Sequence, residues 1–264
     1  MTNAYITILG TGDALATRCY NTCFTLHAPS GEVLLVDAGG GNGILTQLER
    51  AEIDLRTIHH LFLTHTHTDH LLGAVWVARM ALQFGYPLHV WSHHKALSLL
   101  EDICRRMLPQ KEAEGLGSLV VLHELTDGEM FEVGDLRLQC FDIHSSKEQQ
   151  FGFVATLPDC KRLCCLGDEP YNPLCQPYAE DANVLLSEAF CLYEDREHFL
   201  PYEKRHSTAL DAARTAESLH ARTLILYHTE DRTLVTRRAR YTAEAKSVFS
   251  GTVIVPDDLE RIAL

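Results

Sequence analysis

One hexapeptide constrains this chain more than any bulk property: His65-Thr66-His67-Thr68-Asp69-His70. Four potential metal donors fall within six positions. Leu61-Phe62-Leu63-Thr64 leads into them and Leu71-Leu72-Gly73-Ala74-Val75 follows, so the cluster sits between a strand-like run and an apolar helix. Imidazole and carboxylate suit zinc, manganese or iron. Alternation at 65 and 67 places two side chains on one side of an extended segment. The turn that follows redirects Asp69 and His70 toward a second point, so one short loop can supply two ligands to each of two metals. A solvated His-rich loop is the bland alternative, and it would not need these flanks.

The rest of the chain answers that loop. Three more donors stand where apolar runs stop: His144 after Leu136–Ile143, Asp168 after Arg162–Gly167, and His228 after Thr223–Tyr227. Glu188 ends Val184-Leu185-Leu186-Ser187 in the same manner, although it is not read as a ligand. Strand ends that open into one crevice are where α/β sheets gather their chemistry. Any one of these residues alone is more often an ordinary strand-end polar group. Their coincidence with the 65–70 loop points to a site.

Short β-branched and apolar runs recur from Tyr5–Leu9 to Thr252–Val255. Helical spacing lies between several of them, over Gly43–Ala51, Leu71–Phe84, His94–Leu108, Ser207–His220 and Arg237–Phe249. This order predicts a layered α/β protein with facing sheets and helices outside. No repeat, low-complexity tract or long linker interrupts it, so residues 1–264 read as one domain. No run of eighteen apolar residues occurs, and no membrane span is expected. Met1-Thr2-Asn3-Ala4 runs straight into a strand without the basic and apolar regions of a signal peptide. Nine cysteines, mostly inside apolar runs, fit reduced thiols and a cytoplasmic setting. A formal net charge of -13 disfavours broad electrostatic capture of nucleic acid, although bound divalent metals would reverse the sign locally.

The order HTHTDH, His144, Gly167-Asp168, His228 resembles the metallo-β-lactamase superfamily of hydrolases. The resemblance spans Leu9-Gly10-Thr11-Gly12 to the strand before Pro256. It implies an α/β fold of four layers, an αββα sandwich with metals at one edge. It also implies that His65, His67 and His144 hold one metal, that Asp69, His70 and His228 hold the other, and that Asp168 bridges both. A bridging carboxylate suits metals about 3.5–4 Å apart. Two divalent ions follow, zinc first, with manganese or iron as alternatives. Val36-Asp37-Ala38-Gly39 is similar to the family's strand-end Asp, which orients the metal loop from behind.

Within that superfamily the chain is most similar to the ribonuclease Z branch. Arg205-His206-Ser207-Thr208 matches its HST motif, and Ser187-Glu188-Ala189 resembles its HEAT segment. The resemblance implies that His206 stabilises a phosphoryl oxygen or protonates the leaving alkoxide. Glu188 would orient His206, and Asp69 would act beside them. The bland reading of His206 is a histidine at a helix start, since Ser207 and Thr208 are natural N-caps.

The departures bear on substrate. Ala16-Thr17-Arg18-Cys19-Tyr20-Asn21 keeps a basic residue and the Asn of the branch's PxKxRN loop but lacks its Pro and second Arg. Only Ser145 to Lys161 separates His144 from the strand before Asp168, which leaves no room for the basic arm that grips transfer RNA. A phosphodiesterase acting on a small phosphate ester or a single-stranded nucleic acid is therefore expected, and transfer RNA is not. The resemblance leaves a homodimer open.

Two functions compete with that reading. A lactonase or β-lactam hydrolase could use the same metals, with Tyr227 or Tyr171 orienting a carbonyl, although Tyr227 reads first as a strand aromatic. A metal sensor or scaffold would not need the full donor set. Other features rank as structural. His93-His94 reads as a surface helix start, His59-His60 as the beginning of a strand, and Arg237, Arg238 and Arg240 as a solvated helix face. Cys160, Cys164 and Cys165 lack the paired spacing of a structural zinc site.

Overall fold

Val33-Leu34-Leu35-Val36 shows how the layers arise. All four side chains are buried; Leu34 and Val36 turn into the space between two sheets, while Val33 and Leu35 turn outward beneath helices. A strand covered on both faces needs a continuous apolar run, not an alternating one. The same holds for Val184–Leu186 and Leu224–Tyr227 in the second sheet.

The computed structural model describes residues 3–264; Met1 and Thr2, part of the N-terminal segment read above, lie outside the described residues. The first sheet contains β1 (Tyr5–Gly10), β2 (Cys23–His27), β3 (Val33–Val36), β4 (Ile58–Phe62), β5 (Leu88–Ser92) and β6 (Val120–Glu124). The second contains β7 (Met130–Val133), β8 (Leu136–Asp142), β9 (Phe151–Thr156), β10 (Arg162–Cys165), β11 (Val184–Glu188), β12 (Thr223–Tyr227) and β13 (Thr252–Ile254). The chain then returns to the first sheet as β14 (Arg261–Ala263), which pairs with β1. The strand orders are β14-β1-β2-β3-β4-β5-β6 and β13-β12-β11-β10-β9-β8-β7. Strands β3 to β6 run parallel, as do β10 to β13.

Parallel neighbours need crossovers, and helices supply most of them. Helices α1 (Gly43–Arg50), α2 (Thr68–Phe84) and α3 (His94–Met107) cover the outer face of the first sheet. Helices α4 (Ala209–Ser218) and α5 (Leu234–Lys246) cover that of the second through Ala212, Ala213, Ala216, Tyr241 and Ala245. Between the sheets, Ile6, Ile8, Phe24 and Phe62 meet Phe131, Phe153, Leu186 and Ile225. The result is the αββα sandwich expected from the residues and the resemblance. Among the described residues no helix is long and apolar enough to cross a membrane, and all nine cysteines are free thiols.

Several local readings shift. Strands β7 and β14 escape the apolar-run criterion because they are short and half-exposed at sheet edges. Helix α2 begins at Thr68, so Asp69 and His70 lie in its first turn and not in a separate loop. Thr208, not Ser207, caps α4, with Asp211 closing the capping box. Arg237 is no solvated residue: it is 1% exposed, and its guanidinium donates to Thr11 Oγ1, Thr229 Oγ1 and the Pro256 carbonyl. His93 does start a helix, yet it is buried, and its Nδ1 accepts the Ala96 N–H. The network around Arg237 and Asp258 ties the C-terminal segment to the loop after β1.

Candidate metal centre

Strand β3 ends at Val36, and Asp37 follows with φ of 54°. That left-handed turn aims a buried carboxylate across to the loop after β4. Asp37 Oδ1 accepts the Thr64 N–H at 2.8 Å; Oδ2 accepts the Thr64 hydroxyl and His70 Nδ1, both at 2.7 Å. Helix α2 is clamped against the same turn. Gly73 N donates to the Gly39 carbonyl at 2.8 Å, and a Cβ on Gly73 would stand 1.8 Å from the Ala38 carbonyl oxygen. Only glycine permits this approach.

The loop so held brings two groups of donors together. His65, His67 and Asp168 form one, with His65 Nε2 2.8 Å from His67 Nδ1. Asp69, His70 and His228 form the other. Asp168 Oδ2 lies between them, 3.6 Å from His65 Nε2, 3.5 Å from His70 Nε2 and 3.6 Å from His228 Nε2. Asp69 Oδ2 is 3.2 Å from His70 Nε2 and 3.5 Å from His228 Nε2. Three of these buried atoms, Asp69 Oδ2, His70 Nε2 and His228 Nε2, have no hydrogen-bond partner. Buried polar atoms are rarely left so, and here the orphans are N and O donors converging at metal-ligand spacing. The donor set fits divalent cations.

Electrostatics support the same conclusion. Burial opposes ionisation of Asp168, yet the facing His65, His70 and His228 hold its carboxyl well below the usual range. Asp69 is likewise lowered against burial by His70 and His228. His70 is raised, again against burial, by Asp69 and Asp37. Burial pushes His65 down to about 3, so its imidazole stays neutral and can offer a lone pair. The carboxylates thus create a buried demand for positive charge, which divalent cations would meet while displacing protons from the imidazoles.

His144 is the one expected ligand that the structure does not bring into either group. It follows β8 at a left-handed residue, φ 57°, and its side chain is exposed. The other six expected ligands converge. Asp37 stands behind His70 as the resemblance implied.

Next to this centre, Glu188, His206 and His228 approach one another. Glu188 is fully buried at the end of β11. Its Oε1 accepts the Ser207 N–H and hydroxyl at 2.5 and 2.6 Å, and its Oε2 lies 3.6 Å from His206 Nδ1. Ser207 is therefore spent on Glu188 and not on capping. The His206 ring stacks on Phe190 with centroids 5.1 Å apart, and it stands 5.1 Å from the His228 ring. Tyr227 is closed off from substrate: its hydroxyl donates to the Gly167 carbonyl at 2.8 Å in the core, shaping the turn that presents Asp168. Tyr171 does not line the cavity over the donors.

That cavity measures about 650 Å³. Asp69, Asp168, His206 and His228 form part of its wall, Lys147, Lys204 and Arg232 bring positive charge, and Phe190 and Phe199 make an apolar side. Sequence reasoning missed these rim residues, because isolated Lys, Arg and Phe in loops carry no pattern. It also missed Gln150, whose amide sits between His65 Nδ1, at 2.9 Å, and Asp168.

Fold and donor set together define a metal-dependent hydrolase of metallo-β-lactamase fold. Residues 4–243 match the family model described as Anti-Pycsar protein Apyc1, and the chain belongs to that family. The chain is also similar to ribonuclease Z of Bradyrhizobium diazoefficiens, 25% identical over 96% of this chain and 97% of that one. Two solved structures share the fold. The metallo-beta-lactamase fold protein YhfI from Bacillus subtilis superposes with a TM-score of 0.78 at 19% identity, covering 99% of both chains. The short form of human tRNase Z gives 0.76 at 21%, covering 98% of both.

Proposed function

We propose that this hydrolase is a phosphodiesterase, acting on a small phosphodiester or the end of a single-stranded nucleic acid. The observation that carries the reading is the Glu188–His206 pair: His206 lines the same cavity as Asp69, Asp168 and His228, with the buried Glu188 Oε2 3.6 Å from its Nδ1. Such a pair serves a poor alkoxide leaving group, and hydrolysis of a reactive ring has no need of it. The family resemblance to ribonuclease Z supports it as well.

In this reading His65, His67 and Asp168 would hold one divalent ion, and Asp69, His70 and His228 would hold the other. His144 would complete the first set by turning inward. Zinc suits the all-N/O donors, as do manganese and iron. Ions bound there would supply Lewis acidity and lower the pKa of a nearby water. The protein supplies the rest. Asp37 fixes the ring of His70; Glu188 fixes His206, which donates a proton to the departing oxygen; and Lys147, Lys204 and Arg232 attract the phosphate. The limited cavity and the net charge of -13 favour a compact anion over a long duplex.

The test is His206→Ala, assayed on bis(p-nitrophenyl) phosphate and a simple lactone. The variant should keep its metals and lose roughly 10²–10⁴-fold in diester turnover, the usual contribution of a positioned general acid. Turnover near wild type, or wild-type enzyme that opens the lactone but not the diester, overturns the proposal.

A further inference from the structure

We infer that Glu148 is a positioning residue for His67: its carboxylate, anchored by Thr66 and Lys95, takes the Nε2 side of the imidazole and leaves Nδ1 to face the first donor group. The inference rests on the metal-site reading above and extends it to a residue outside the donor set.

His67 is the most open of the loop imidazoles. Its side chain is 38% exposed, against 1% for His65 and 2% for His70. His70 is fixed from behind by Asp37, and His65 by Thr64 and Gln150. A half-open imidazole has two tautomers and a ring free to rotate, so it needs a comparable outer partner to be a good ligand. Glu148 occupies that place. His67 Nδ1 lies 2.8 Å from His65 Nε2, and on the other side of the ring Nε2 lies 3.5 Å from Glu148 Oε1.

The carboxylate is itself held. It accepts the Thr66 N–H at 3.2 Å and Lys95 Nζ at 2.6 Å, and it also accepts the Thr66 hydroxyl. Thr66 belongs to the metal loop; Lys95 lies in the first turn of α3, behind the buried cap His93. Glu148 therefore ties the 65–70 loop to a helix of the outer layer. An ionised carboxylate only accepts, so it can meet Nε2–H and cannot present a proton to a bare Nε2. That one-way chemistry selects the tautomer whose Nδ1 lone pair is free.

The segment carrying Glu148 is pinned at its other end by a residue adjacent to Asp168. Ser145 Oγ donates to Glu169 Oε1 at 2.7 Å, the Ser146 N–H reaches Oε2 at 3.4 Å, and Lys147 Nζ lies 3.7 Å from Oε1. Residues 145–148 thus bridge two parts of the site. This use of the short connection after His144 had no signature in the sequence.

The experiment measures zinc affinity by competition with a chromogenic chelator on wild type, Glu148→Ala, Glu148→Gln and His65→Ala, with cobalt(II) absorption as a ligand-field readout. Glu148→Ala should weaken one of two ions by about 10–100-fold, the usual effect of losing an outer-shell partner, and should alter the cobalt spectrum. Glu148→Gln, which keeps the volume without the charge, should fall between it and wild type. The metal-free protein should lose less stability than on loss of a fully buried carboxylate, because Thr66 is only half-buried and Lys95 is exposed. Wild-type affinity for both ions in both Glu148 variants overturns the inference, as does a loss that only parallels global destabilisation. His65→Ala separates the two levels. If it too leaves both ions bound, the metal-site reading itself fails; if it loses an ion while the Glu148 variants do not, only the role of Glu148 fails.

Discussion

Asp37 offers the sharpest test of how the centre is built, because two substitutions there should act in opposite order on stability and on metal binding. The side chain is 3% exposed and receives three hydrogen bonds, from Thr64 N, Thr64 Oγ1 and His70 Nδ1. Asp37→Ala strands those three buried donors. At about 1–3 kcal/mol for each unpaired group, with partial relaxation, the metal-free protein should lose roughly 3–5 kcal/mol. Asp37→Asn is nearly isosteric and should lose less. Its carbonyl must face the Thr64 N–H, which puts the amide NH₂ where Oδ2 stood. That NH₂ donates to His70 Nδ1, moves the ring proton to Nε2 and blocks the atom that faces Asp69 and Asp168. The Asn variant should therefore bind the second ion more weakly than the Ala variant, in which His70 can still choose its tautomer. Losing an oriented carboxylate costs about 10–100-fold in affinity, or ~1.4–2.7 kcal/mol, and Asn should lie at or beyond the far end of that range. Urea melts of the metal-free variants and chelator competition measure the two quantities separately. If Asn binds zinc as wild type does, or if affinity merely follows stability, the tautomer argument is refuted.

Other outcomes follow from the same geometry. Asp168→Ala should remove both ions together, since the carboxylate faces both donor groups, and retention of two metals by elemental analysis would contradict the shared role. Gly73→Ala should destabilise the fold by roughly 3 kcal/mol or more, beyond ordinary overpacking, because the added methyl meets the backbone carbonyl of Ala38 and not a side chain that can yield; an unchanged urea midpoint would show that the clamp is loose. Lys147→Ala should raise KM for a diester by roughly tenfold, the ~1.5 kcal/mol of one charge-assisted contact, with little change in kcat. Burial lowers both His27 and His60 from 6.5 to about 4. The folded state thus prefers the neutral form, so this contribution is intact above pH 6.5 and is lost as pH falls from 6.5 toward 4. Each site is worth up to ~3 kcal/mol over that window, and His60→Gln should flatten the acid side of the stability profile measured by urea titration.

Much of the centre was legible because its chemistry is local. HTHTDH puts four donors on one loop, and the flanking apolar runs announce the strand and helix that hold it. Asp168, His228 and Glu188 were legible for a related reason, since each ends a doubly covered strand whose apolar run stops abruptly. The sandwich could be read because buried parallel strands are apolar on both faces. Edge strands gave no such signal: Met130–Val133 alternates exposed and buried, and Arg261–Ala263 buries only Ile262. Arg237 was misread because a charged residue in a helix is usually solvated, and nothing local shows that Thr11, Thr229 and Pro256 will meet its guanidinium. Glu148, Gln150 and the cavity rim escaped for the same reason. Their partners are far away in sequence, and a side chain's role there is set by tertiary neighbours. Membership of the Anti-Pycsar family was not readable from the motifs, which the wider superfamily shares.

One feature of the backbone explains why these distant segments converge at all. Asp37, His144 and His228 each follow directly on a strand or its last extended residue with φ of 54°, 57° and 54°, Gly167 precedes Asp168 with φ of 82°, and Arg205 precedes His206 with φ of 59°. A left-handed residue at a strand end breaks the two-residue alternation, so the next side chain leaves the sheet plane and turns across the edge toward the neighbouring strand. For a non-glycine residue that conformation costs on the order of 1 kcal/mol. Four of the five positions accept the cost without glycine, because three of the residues are themselves functional candidates and the fourth aims His206. Glycine at 37, 144 or 228 would relieve the backbone but delete the carboxylate or imidazole that the turn exists to direct. Strain and function therefore coincide at these turns: four of the five stand at strand ends on one edge of the sheets, and Asp37, Asp168 and His228 are turned there toward the donor groups, whereas His144 stays exposed.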